Sequence, residues 1–176
     1  MMWTALSIAL TIFALAGAVS DARTERIPNR LVLAGIAVAL VLRAGLGWEA
    51  VFHGLAAGLV ALAIGIPLFA LRAFGGGDVK FMTMCAVFVG LPLVGRAALW
   101  SAAAGGVLAL YVILRRRLPL VAATRTWNLT KAAFTLGRRG DRMTLQEEGA
   151  LAAPYGVAIA AGSLLVWFGT AGGWIP

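Results

Sequence analysis

The stretch TIFALAGAVSDARTERIPNR (residues 11–30) is an apolar run that breaks at Asp21 into a short basic loop. A second junction of the same kind is GGGDVK (residues 75–80), where Asp78 stands between three glycines and the next apolar run. The chain has only seven acidic residues, so two of them at such boundaries need a reason. An aspartate at the bilayer centre costs about 2.5 to 3.5 kcal/mol on insertion scales, and ionisable groups kept near a membrane point to function before stability.

Working outward, the 176 residues are 61% hydrophobic and 12% charged, with a mean hydropathy of +0.92. That charged share is about half of what a soluble domain carries. A helix needs about 20 apolar residues to cross roughly 30 Å of hydrocarbon. Candidate spans are residues 2–20, 31–48, 50–71, 79–95, 96–114 and 151–170. The expected fold is therefore an all-α polytopic transmembrane helical bundle of about six spans, a single integral-membrane domain over residues 1–176. A signal-peptide reading of the first run is disfavoured, because no Lys or Arg precedes its apolar core.

The net charge of +8 does not imply nucleic-acid binding, because its distribution is topological. Thirteen of the fifteen basic residues fall after the first, third and fifth spans: Arg23, Arg26 and Arg30; Arg72 and Lys80; and eight between Arg115 and Arg142. Only Arg43 and Arg96 fall on the other side, and Arg43 is expected to snorkel outward. This bias puts the amino terminus outside and the odd-numbered connections in the cytoplasm. Residues 115–150 admit two readings, an amphipathic helix on the membrane interface or an irregular basic loop. Cys85 is the sole cysteine, so no disulfide or multi-cysteine zinc site is available within the chain. His53, the only histidine, falls at the far end of the third span from both aspartates.

Crossing parity brings the aspartates to one face, since Asp21 follows one crossing and Asp78 three. Before Asp21, Ala14, Gly17 and Ala18 line one helical face with small side chains, which lets another helix approach. Pro28 biases Ile27 toward an extended backbone, and Asn29 is expected to cap the second helix. The glycines of GGGD are expected to supply unusual backbone angles and close approach. Asp78 at a helix start also has a plain capping explanation. Asp21, at a helix C-terminus, has none, because the helix dipole disfavours a negative charge there. Lys80 projects from a different face than Asp78 and is expected to anchor the fourth span at the headgroups. Two close carboxylates hold one proton between them near neutrality. The ionised member draws a proton from attacking water while the protonated one hydrogen-bonds the carbonyl oxygen, with no need of metal, cofactor or covalent nucleophile.

These residues resemble the type IV prepilin peptidases, membrane aspartic proteases that share a Gly-x-Gly-Asp motif with presenilin-like enzymes. Gly75-Gly76-Gly77-Asp78-Val79-Lys80 is similar to the family's GxGDxK segment, Asp21 with Ile27-Pro28-Asn29 to its first-aspartate segment, and Pro154-Tyr155-Gly156 to its Pro-aromatic-Gly motif. The resemblance implies Asp21 and Asp78 as the catalytic pair, with Gly75, Gly76, Gly77, Lys80, Ile27, Pro28 and Asn29 shaping the site or binding substrate. It implies as partner a pilin precursor whose short basic leader is cut at the cytoplasmic face of the bacterial inner membrane. The chain lacks the paired CxxC motifs of the larger, methylating members and resembles the short peptidases of Flp or Tad pilus systems and the archaeal preflagellin peptidases. Two other classes remain: a small transporter or proton-conducting protein, and a non-enzymatic pilus or secretion assembly protein.

Overall fold

The computed structural model describes residues 1–71, 74–115 and 155–173. Among them lie six helices: α1 Met2–Thr24, α2 Asn29–Ala44, α3 Trp48–Ala70, α4 Gly76–Val89, α5 Leu91–Arg115 and α6 Tyr155–Ala171. The helical membrane bundle read from the sequence is what the chain forms. Three helices are long and apolar enough to cross a membrane, Met2–Thr24, Trp48–Ala70 and Leu91–Tyr111, and α6 is a shorter apolar helix. Residues 116–154, with most of the proposed interfacial helix and Pro154, lie outside the described residues.

The bundle is built around α4. This helix touches every other one, and Thr83 through Val89 are buried without interruption. Large exposed apolar side chains occur on all five surrounding helices, such as Ile8, Leu33, Leu59, Leu99 and Phe168, and none on α4. Such a surface suits lipid, while the interior is closed by small residues rather than by a hydrophobic drive between helices. Gly17 of α1, Gly35 of α2, and Gly58 and Gly65 of α3 each leave the space that Phe81, Met84, Val87 and Val79 of α4 fill. A methyl group at any of these glycines would collide with its α4 neighbour.

The connections explain where sequence and structure part. Helix α1 ends where Glu25 turns left-handed at φ 52°, and its N–H bonds Asp21 O at 2.9 Å. Pro28, extended at φ −64° and ψ 131°, opens α2. The fourth span was expected to run to residue 95, yet α4 stops at Val89. Gly90 takes φ 85°, and Pro92, which lacks an N–H, falls in the first turn of α5 where none is needed. Fourteen residues suffice for α4 because its neighbours, and not lipid, surround it.

Arg43 corrects another expectation. It does not snorkel; at 3% exposure it turns inward, donating from Nε to Val87 O at 2.7 Å, from Nη2 to Phe88 O at 2.8 Å and from Nη1 to Ala50 O at 2.8 Å. The last carbonyls of a helix have no partner within it, and a cation there also meets the negative end of the dipole. Arg43 thus closes the C-terminus of α4 against α2 and α3. His53 is near this end, 3.7 Å from Glu49.

Candidate active site

At the opposite end of α4, the C-terminus of α1 and the N-termini of α2, α4 and α6 converge. The buried face of α1 runs Leu6, Leu10, Ala14, Gly17, Ala18 and Asp21, so the small-residue stripe points inward. Gly17 meets Phe81 of α4. Asp21 is one turn beyond Gly17 and Asp78 one turn before Phe81, so both carboxylates sit just above a shared contact between α1 and α4.

Asp21 is buried at 7% exposure, and its Oδ2 accepts the Gly156 N–H at 2.7 Å. Gly156 has to lack a side chain, because a Cβ there would lie 2.8 to 3.0 Å from three atoms of Asp21. Asp78, half-buried in the first turn of α4, accepts the Gly75 N–H through Oδ2 at 3.1 Å. The capping explanation for Asp78 is thus real but uses one oxygen. No donor among the described residues reaches the second oxygen of either carboxylate. Ahead of the apolar run that starts at Val79, burial pushes the Asp78 carboxyl up to about 6, against the Gly75 hydrogen bond and with the negative charge of Asp21 adding to the rise. The two carboxylates are therefore within Coulombic reach of each other.

The remaining expected residues gather here as well. Ile27 is buried, and a Cβ on Gly77 would stand 3.8 Å from it, so the loop after α1 packs onto the glycine segment. Pro28 directs the chain into α2. Ser20 Oγ and Thr24 Oγ1 donate to Arg26 O at 2.8 and 3.1 Å, which folds the loop over the end of α1. Two expectations fail in detail. Asn29 does not cap α2: it is the first helical residue, and its Oδ1 accepts from Lys80 Nζ at 3.1 Å. Through this bond the exposed Lys80 ties the start of α4 to the start of α2. None of Gly75, Gly76 and Gly77 takes a positive φ, so that run provides room and not unusual backbone angles.

The role of Gly156 as the tether of Asp21 was not legible beforehand. The signal was the Pro154-Tyr155-Gly156 motif, which marks the segment and not the partner of its glycine. No group of three or more metal-ligating side chains occurs among the described residues.

Fold and site together define a helical membrane protein built around a pair of carboxylates at one end of its central helix. A family model described as the type IV leader peptidase family (Peptidase A24) matches residues 8–110, a range that takes in both Asp21 and Asp78. The match covers more than half of the chain, and the chain belongs to that peptidase family. No curated protein and no solved structure matches it.

Proposed function

We propose that the protein is an aspartic endopeptidase that removes the short basic leader of type IV, Flp-like prepilins at the cytoplasmic face of the bacterial inner membrane. One observation carries this reading: each carboxylate is tethered through one oxygen by a glycine N–H, and the other oxygen has no donor among the described residues. A site so held is preorganised without being saturated.

In the hydrolysis, one carboxylate is ionised and takes a proton from the water that attacks the scissile carbonyl. The other, protonated, hydrogen-bonds the carbonyl oxygen as charge develops on it. Collapse of the tetrahedral intermediate breaks the C–N bond, and the proton passes to the leaving amine. The raised affinity of Asp78 for its proton suits it to the acid role at the start of the cycle.

Support for the cytoplasmic face comes from the basic residues, since Arg23, Arg26, Arg30 and Lys80 belong to the end that holds the aspartates. A site at a helix-bundle end reaches a bond at the edge of a membrane-embedded substrate helix without unwinding its middle. With a single cysteine, no zinc-binding insertion of the methylating kind can form, and the product is expected to leave unmethylated.

The test is co-expression with a pilin-like precursor whose leader ends in glycine. Asp21→Asn and Asp78→Asn are each expected to lower cleavage by about 10²- to 10⁴-fold or more while the protein still inserts. Normal processing in either variant overturns the proposal.

A further inference from the structure

The two carboxylates are held by dipeptides of one pattern, an aromatic residue followed by a glycine. In Phe74-Gly75 the glycine N–H bonds Asp78 Oδ2, and in Tyr155-Gly156 it bonds Asp21 Oδ2. The two rings, far apart in sequence, pack on each other with centroids 5.2 Å apart and planes inclined at 45°. Offset, tilted pairs of this kind are the favoured geometry of aromatic contacts.

Each ring is fixed to its own frame. The Phe74 N–H bonds Leu68 O at 3.3 Å, which ties it to the end of α3. Tyr155 lies over Gly105 of α5, where a Cβ would come within 3.2 Å of its ring. The tethering amide follows each ring by one residue. A displacement of either ring therefore moves the N–H that orients a carboxylate.

We infer that the Phe74–Tyr155 contact is a clasp that sets the spacing of Asp21 and Asp78, which makes both aromatics positioning residues for the hydrolysis proposed above, the reading on which this inference rests. Two groups that act on one water and one carbonyl tolerate little misplacement; about 1 Å costs about 10²-fold in rate. The contact completes a chain of interactions that runs from Asp21 through Gly156, Tyr155, Phe74 and Gly75 to Asp78. Opening it frees both tethers at once.

The experiment measures kcat and KM on a pilin-like precursor for Phe74→Ala, Tyr155→Ala, the double variant, Phe74→Tyr and Tyr155→Phe, with Asp21→Asn and Asp78→Asn as references. Each alanine is expected to lower kcat about 10²-fold at unchanged KM. The double variant should be no worse than either single, because one contact is broken once. The aromatic replacements should retain kcat. Full kcat in either alanine variant, losses that multiply in the double, or a change confined to KM overturns the clasp.

A second measurement needs no activity. Spin labels on the exposed positions Ala22→Cys and Lys80→Cys, beside the aspartates and with both tethers left in place, in a Cys85→Ala background should show dipolar broadening that falls when Phe74→Ala or Tyr155→Ala is added. Unchanged broadening also overturns the clasp. Cleavage that persists in the two Asn variants sinks the acid–base reading instead, and the label spectra then judge the clasp alone.

Discussion

The two ends of α4 carry buried or half-buried charge and treat it in opposite ways. At the C-terminus, the Arg43 guanidinium, 3% exposed, commits each of its three nitrogens to a main-chain carbonyl. At the N-terminus, Asp21 and Asp78 each use one oxygen on a backbone amide, and the second stays without a donor among the described residues. Burial alone therefore does not mark a functional charge. What distinguishes the ends is the use of each polar atom: every nitrogen of Arg43 holds a backbone carbonyl, whereas each carboxylate keeps one oxygen without a donor among the described residues.

That contrast breaks most visibly in stability. Arg43→Met removes the partner of three carbonyls and is expected to cost about 3 kcal/mol or more, read as loss of folded protein in detergent. Asp78→Asn is expected to abolish cleavage yet leave stability at neutral pH unchanged or higher, because it removes a carboxylate that burial disfavours in its charged form. A variant of Asp78 less stable than Arg43→Met would erase the distinction.

A second effect appears with pH. The folded protein holds the Asp78 proton up to about 6, whereas an exposed carboxyl releases it near 3.8. Between these values the native state binds more protons than the unfolded chain, so this group lowers stability as pH rises through the window. Thermal unfolding from pH 4 to 6.5 should show that decline in the parent and a flatter profile in Asp78→Asn. The smallest effect belongs to the exposed Lys80–Asn29 hydrogen bond at 3.1 Å. Lys80→Gln or Asn29→Ala should cost about 0.5 to 1 kcal/mol, and a larger loss would make the bridge part of the structural frame.

Much of this organisation is legible in the residues. Apolar length gives the helices, parity brings Asp21 and Asp78 to one end, and the spacing of Ala14, Gly17 and Asp21 gives the face that meets α4. The details that escape depend on contacts between distant segments. Arg43 looks like an outward-reaching cation until the carbonyls of Val87 and Phe88 are in place beside it. The end of α4 at Gly90 is masked by apolar residues on both sides, since hydropathy is blind to a change of backbone direction. Asn29 has the composition of a cap, and only the arrival of Lys80 gives its side chain another partner. Gly156 is silent alone, because its value lies in the atoms it leaves out beside Asp21.

The tether of Asp21 comes from a residue 135 positions later, on the last described helix. A ribosome releases both aspartates into the membrane long before it makes Gly156. A nascent chain thus carries both carboxylates with Asp21 still untethered, and the tether forms only when α6 docks. The docking of α6 is the step that sets Asp21 in place.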